Sequence, residues 1–376
     1  MKKAIRITEY FARVETTRAH KGYFCSVGEA LTIVIIGSFC GLRSVKQIHQ
    51  WASSSRVYEF LREHFGIEKI PCYYWLLCLL KIINPKSLNK CLMNWVQSFL
   101  PEGVKGLTVS FDGKTIRSTG KFEKHDNPLH IISAQIAQLG ITFGQYAVED
   151  KSNEIPAVRE LLDLLKIEGC IVVADALNCQ KDTARAIVKG KADYLLNVKA
   201  NQGTLEKDIE EYIQDDELRK TMDTYRTCEK NRGRIERRTA FSTGDIEWLY
   251  GKEEWEKLAC VGAIHTRTTS KHGTSDEWHY YISSCNLTAR ELLKHARCEW
   301  SVETMHWLLD VHFEEDSCRV EDKTIQQNLN MVRKIVLNSI NNYKEKTESK
   351  RPISAIMFDC LLDSENILSV LGFEAN

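Results

Sequence analysis

A chain of 376 residues is long enough for two or three domains and at least one sizeable core, and its 43% hydrophobic and 27% charged content is ordinary for a globular protein. Lys+Arg and Asp+Glu balance at 51 each, which argues against indiscriminate nucleic-acid binding. The balance is uneven along the chain, because residues 1–105 hold 15 basic and 7 acidic side chains, leaving 36 basic and 44 acidic for the remainder. A basic front segment suits a polyanionic partner.

Residues 1–103 read as a helical, DNA-contacting domain, with few glycines or prolines and helices over 26–39, 44–52, 56–65, 71–83 and 85–100. After Pro101-Glu102-Gly103 the pattern changes to β-branched runs of period two. Strands are expected over 107–111, 130–138 and 141–148, the last two joined by a Leu139-Gly140 turn. A helix over 154–166, a strand over 170–174, a helix over 180–189 and a strand over 194–198 follow. A meander followed by helix, strand, helix, strand predicts an α/β, ribonuclease-H-like core with a mixed five-stranded sheet. Its first part spans residues 104–203. A mostly β insertion is expected over 204–287, with short strands at 223–229, 234–239, 258–266 and 278–284, and C-terminal helices over 288–376 complete the core.

Thirteen cysteines are scattered along the chain, with no Cys-x-x-Cys pair and no zinc spacing. Cys25, Cys40, Cys78, Cys170 and Cys260 lie in apolar surroundings and read as reduced, buried thiols. The odd count and the lack of a signal peptide predict a cytoplasmic protein. The longest apolar run, residues 30–42, is too short to span a bilayer and reads as a buried helix, so no membrane partner is expected.

Three carboxylates occupy settings that suit a metal site. Asp112 and Asp175 each end an apolar strand, and Glu303 lies in a downstream helical segment. Strand ends and helix faces are rigid platforms, and hard oxygen ligands suit Mg²⁺, with Mn²⁺ able to substitute. The expected order of strands places the ends of the first and fourth side by side, and so Asp112 beside Asp175. Glu299 is a rival to Glu303, one helical turn earlier on the same face, and Asp310 shares that face two turns later. His306 reads as a supporting residue rather than a ligand, and Trp300 and Trp307 as packing residues of the helix.

Phe111-Asp112-Gly113-Lys114 with Arg117, Lys151-Ser152-Asn153-Glu154-Ile155, and Asp175-Ala176-Leu177-Asn178-Cys179-Gln180 occur in that order. Lys199-Ala200-Asn201-Gln202, Gly233-Arg234-Ile235-Glu236-Arg237, and Glu303 followed by His306-Trp307, Leu309-Asp310-Val311, Phe313, Glu315-Asp316 and Arg319 continue the series. Together they resemble the DDE transposases of the ISAs insertion-sequence family, which includes the H-repeat-associated proteins. The resemblance covers nearly the whole chain. It favours Glu303 over Glu299 as the third acid, and it implies two Mg²⁺ ions, metal-dependent cleavage of element ends, strand transfer, and a homodimer or larger assembly on paired ends. Its DNA partners would be terminal inverted repeats and a target. Three positions depart from the family pattern, with Glu299 and Arg232 standing where histidine is usual and Thr304 where asparagine is usual.

Phosphate contacts are expected from Lys114, Arg117, Lys151, Lys199, Asn201 and Gln202, which follow strand ends. The basic run of the insertion adds Arg232, Arg234 and Arg237. Two other readings stay open: a catalytically silent DNA-binding relative, and a ribonuclease-H-like nuclease that does not transpose.

Overall fold

Ser26 and Glu29 exchange side-chain-to-backbone hydrogen bonds as a capping box, and the helix they start is apolar enough to bury every residue from Ala30 to Phe39. The computed structural model describes residues 7–19, 25–100, 103–117, 128–148, 153–231 and 233–372. The N-terminal helices are α1 (Ile7–Phe11), α2 (Val27–Phe39), α3 (Val45–Ala52), α4 (Ser55–Phe65), α5 (Tyr73–Ile82) and α6 (Pro85–Ser98). A second capping box, Ser44 with Gln47, opens α3. The Asn84 side-chain Oδ1 accepts from the Lys86 and Ser87 amides at the start of α6, where Pro85 has no amide to satisfy.

The sheet begins with β1 (Thr108–Thr115), β2 (His130–Ile136) and β3 (Ile141–Val148), an antiparallel meander whose last turn needs Gly140 at φ +62°. After α7 (Glu154–Leu164), β4 (Ile171–Ala174) pairs parallel with β1. After α8 (Lys181–Lys189), β5 (Asp193–Val198) pairs parallel with β4. Two helices follow, α9 (Gly203–Gln214) and α10 (Asp216–Thr221), and then β6 (Asp223–Asn231), β7 (Arg234–Thr243), β8 (Cys260–Ser270) and β9 (Gly273–Ser283).

These last four strands do not form a layer of their own. β9 pairs antiparallel with β5, from Leu195↔Ser283 to Val198↔Tyr280, and the nine strands make one sheet in the order β3-β2-β1-β4-β5-β9-β8-β7-β6. The segment expected as an insertion thus covers the edge that β5 would otherwise leave unpaired. Its strands also run longer than their apolar runs suggest. The outer half of the β8–β9 hairpin is polar on both faces, so no hydrophobic alternation marks it.

The chain ends in α11 (Ala289–Ala296), α12 (Trp300–Phe313), α13 (Lys323–Lys346), α14 (Ile353–Leu362) and α15 (Glu365–Val370). Leu292, Leu293 and Ala296 of α11 pack on Val173, Leu195, Ala240, Ile264 and Tyr281 to form a second apolar cluster across five strands. α13 ties the N-terminal helices to the sheet: Asn328 Nδ2 donates to the Leu80 and Ile83 carbonyls. Asn338 and Asn89 close the free edge of β3 like an extra strand, each accepting from and donating to one backbone position, Thr142 and Gln145 respectively.

All thirteen cysteines are free. Cys25, Cys40, Cys170 and Cys260 are buried as expected, but Cys78 is exposed, because it falls on the outer face of α5 while Leu76, Leu79 and Leu80 turn inward. Among the described residues no helix is long and apolar enough to cross a membrane.

Lys334 of α13 lies under the sheet, 1% exposed, with Nζ donating to Ser133 Oγ at 2.8 Å and Gln145 Oε1 at 2.7 Å. Burial pulls its pKa down from 10.5 to about 7, against the opposing charge of Glu315. Between those values the unfolded chain binds the proton more tightly, so this group makes stability rise with pH. Urea unfolding between pH 7 and about 8, below the ordinary thiol pKa of about 8.5, is expected to show that rise in the native protein and a flatter profile in Lys334→Met.

Candidate active site

The site is built on a register. Phe111 of β1 stands opposite Ala174 of β4 in the parallel ladder, so the next residues, Asp112 and Asp175, fall side by side; Asp175 follows the last residue of β4, whereas Asp112, expected at a strand end, is interior to β1, which runs on to Thr115 paired with β2. Asp175 then caps a 3-10 turn, Ala176–Asn178, its Oδ1 accepting from the Asn178 amide at 3.2 Å and from Asn178 Nδ2 at 2.9 Å. Burial raises its carboxyl above the ordinary range, the Asn178 hydrogen bonds oppose this, and the charges of Glu154 and Asp112 add to it. Asn201 Nδ2 donates to the Ala176 carbonyl at 2.6 Å, and Gln202 Nε2 to the Cys179 carbonyl at 3.0 Å. The structure therefore gives both amides a structural task, bracing the loop that follows Asp175.

α12 presents three stripes at helical spacing. Val302, Met305, Leu309 and Phe313 are buried in the core. Glu299, Glu303, His306 and Asp310 share a second stripe, on which His306 Nδ1 meets Asp112 Oδ2 at 3.4 Å and Glu303 is exposed. Trp300, Trp307 and Val311 lie on the third and are 48%, 59% and 44% exposed. The expectation that the two tryptophans pack the helix is overturned, since the core-facing positions belong to the first stripe.

Glu299 precedes α12 in a 3-10 turn, Arg297–Glu299, and its carboxyl is pushed up to about 7. Burial is the main cause; the charges of Asp175, Glu303 and Asp112 add to it and Lys199 opposes it. Glu299 is thus close enough to feel the charges of Asp175, Glu303 and Asp112 together. That donor chemistry fits a hard divalent cation. The set is not closed, however, because among the described residues no group of three or more His, Cys, Asp or Glu side chains is disposed to hold a metal ion.

The Transposase DDE domain profile matches residues 105–339, and the DDE_Tnp_1-associated profile matches residues 8–96. The chain belongs to the DDE transposase family. It is 33% identical over 295 residues to the "H repeat-associated putative transposase YhhI" of Escherichia coli K12, covering 76% of this chain and 78% of that protein. It is 32% identical over 323 residues to the protein YbfL of the same strain, covering 84% of each. Among solved structures it is similar to a piggyBac transposase in a synaptic complex with hairpin DNA, at 8% identity and a TM-score of 0.44 over 97% of this chain and 76% of that one.

The basic residues of this transposase divide sharply. Lys114 is not offered to a phosphate: its side chain is 12% exposed, and Nζ donates to Asp310 Oδ1 at 2.8 Å and Glu315 Oε2 at 3.0 Å. Arg117 is exposed beside Asp316, and Lys199 is exposed at the end of β5. Arg234 and Arg237 are exposed, but three residues apart on β7 they point to opposite faces of the sheet. Lys151 and Arg232 lie outside the described residues.

Two groups of the transposase carried no sequence signal strong enough to single them out. Glu154 is 4% exposed, pairs with His130 Nε2 at 3.3 Å, and adds its charge to the environment of Asp175. Its place in the Lys151–Ile155 motif was visible; its burial was not. Arg238, buried between β7 and α12, pairs with Glu229 and Glu236 and lies over the Trp300 ring. Glu229 in turn accepts two hydrogen bonds from Arg297, tying the β6–β7 hairpin to the start of α12.

Proposed function

We propose that Asp112, Asp175 and Glu303 form the reaction centre of a ribonuclease-H-like core that cleaves the ends of an insertion sequence and transfers them to target DNA. The proposed divisions are residues 1–103 as an associated DNA-binding domain, 104–203 and 288–376 as the core, and 204–287 as a β insertion merged into its sheet. The observation that carries the reading is the β1–β4 register, which brings two aspartates from distant sequence positions alongside each other, one within β1 and one at the end of β4. Two Mg²⁺ ions, or Mn²⁺ in their place, would supply Lewis-acid stabilisation of the attacking and leaving oxygens at the phosphodiester. The chain's own part is to hold those ligands still. Asn178 orients Asp175, His306 lies against Asp112, and the Glu299 carboxyl adds acceptor oxygens within the same cluster.

The substrate would be duplex DNA bearing the inverted repeats that flank the gene, held by a dimer or larger assembly. Incubating the protein with such ends, a target plasmid and Mg²⁺ or Mn²⁺ is expected to give metal-dependent nicks at the repeats and joined products. Binding without nicking would identify a silent relative. Cleavage of RNA–DNA hybrids without joining would identify a nuclease of another kind.

Arg234 shares its face of β7 with Arg238, and hence with α12, whereas Arg237 faces away. Arg234→Ala is therefore expected to reduce the slope of log K against log salt by about one unit, while Arg237→Ala leaves it unchanged. Equal effects from the two would mean that the DNA wraps the hairpin tip rather than lying along one face.

A further inference from the structure

The even-numbered residues of β1 make a continuous polar seam with the α11–α12 segment. Thr108 Oγ1 meets His295 Nδ1 at 2.8 Å, and Ser110 Oγ meets Ser301 Oγ at 3.0 Å. Asp112 Oδ2 meets His306 Nδ1 at 3.4 Å, and Lys114 Nζ meets Asp310 Oδ1 at 2.8 Å. Alternate residues of a strand share one face and advance about 6.6 Å per pair. The helical partners Ser301, His306 and Asp310 advance by five and then four residues, about 7.5 and 6 Å. Strand and helix therefore advance by similar steps across these three contacts, and Glu303 falls between Ser301 and His306.

The last contact is the most heavily built. Lys114 Nζ also donates to Glu315 Oε2 at 3.0 Å, just past the end of α12. Glu315 is fully buried, accepts from Asn330 Nδ2 at 2.7 Å and pairs with Arg333 at 3.5 Å, so α13 closes the same knot. The Asp310 carboxylate additionally accepts from the Asp316 amide. Serine–serine and histidine–carboxylate contacts tolerate small slips, whereas a buried ammonium between two carboxylates on either side of a helix end does not.

We infer that Lys114 is a positioning residue: its ammonium, held by Asp310 and Glu315, locks the register of α12 against β1 and so sets where Glu303 stands relative to Asp112. This rests on the reading of those two residues as a cation-holding pair. It replaces the phosphate contact expected of Lys114 from sequence. A phosphate-binding lysine would have to face solvent; this one spends its donors inside the fold.

The test uses the full-length protein, with Mn²⁺ as probe and free Mn²⁺ counted by electron paramagnetic resonance. Lys114→Met is expected to weaken Mn²⁺ binding at least tenfold, while the salt slope of DNA binding stays as in the native protein. Lys114→Arg, which keeps a cation between the two acids, is expected to recover most of the loss. Lys114→Met removes a partner from the buried Glu315, so Lys114→Met/Glu315→Gln is measured beside it. The double variant is expected to regain thermal stability but not Mn²⁺ affinity.

Native Mn²⁺ affinity in Lys114→Met, a salt slope lowered by about one unit, or Mn²⁺ affinity restored along with stability would each overturn the inference. If the native protein binds no Mn²⁺ and cuts no DNA, the proposed function fails. The register is then read by hydrogen exchange, where Lys114→Met must speed exchange of the α12 amides around residues 303–310 over those of α11, and an unchanged pattern overturns it.

Discussion

Asp112→Ala, Asp175→Ala and Glu303→Ala are each expected to lower metal-dependent cleavage about a thousandfold, taking a lost cation ligand to cost about 4 kcal/mol of transition-state stabilisation at 1.4 kcal/mol per tenfold. End binding and folding should change little. The carboxyls of Asp175 and Glu299 are already held above their ordinary range by burial and mutual repulsion, so removing one member relieves its neighbours. Glu299→Ala is the informative companion. Glu299 has the charge of Asp175 as its strongest neighbouring influence, yet the proposed third acid is Glu303. A milder loss is expected in Glu299→Ala, measured as initial nicking rate at saturating Mg²⁺. If Glu299→Ala is inactive while Glu303→Ala retains native rates, the third ligand is Glu299 and the assignment of α12 moves back one turn.

The second large effect falls on stability rather than chemistry. Glu315→Ala is expected to destabilise the fold by about 3–5 kcal/mol, the usual cost of breaking a buried ion pair by removing one partner. Lys114 and Arg333 would be left near one another without the carboxylate that joins them. Burial alone would raise the Glu315 carboxyl, but the charges of Arg333, Lys114 and Lys334, together with the Asn330 hydrogen bond, more than offset it and hold it below its ordinary value of 4.5. A depressed carboxylate contributes stability that is fully present above the unfolded value and is lost as pH falls through the folded one. The gap between native protein and Glu315→Ala, measured by urea unfolding, should therefore be widest near neutrality and narrow in acid below pH 4.5. A gap that is constant with pH would assign the loss to the vacated volume instead.

Much of this transposase is legible in local patterns of its sequence. Helix starts announce themselves locally, because a capping box needs only Ser26 with Glu29 or Ser44 with Gln47, three residues apart. Strands β2 to β5 follow from apolar runs, β1 extends four residues past its own run through the polar stretch Asp112–Thr115, and the chain order of the five restricts how they can pair. Asp112 and Asp175 stood out because each ends such a run. Local patterns could not decide what the insertion does with its strands. Whether β9 closes on β5 or folds back on its own hairpin depends on which free edge it meets, a contact between residues more than 80 positions apart.

The same limit governed the charged residues. Lysine or arginine after a strand end reads as a phosphate contact wherever it stands, and sequence cannot count the acids that will surround it. Only tertiary structure turned Lys114 inward to Asp310 and Glu315, set Asn201 and Gln202 to brace a loop, put Arg234 and Arg237 on opposite faces, and left Trp300 and Trp307 in solvent. The sequence by itself singled out the candidate residues for the proposed chemistry, since side-chain type and position after an apolar run are local properties. The tertiary structure alone decided which charges are buried together, because burial and pairing are set by the packing of α12 and α13 against the sheet, which no short stretch of sequence encodes.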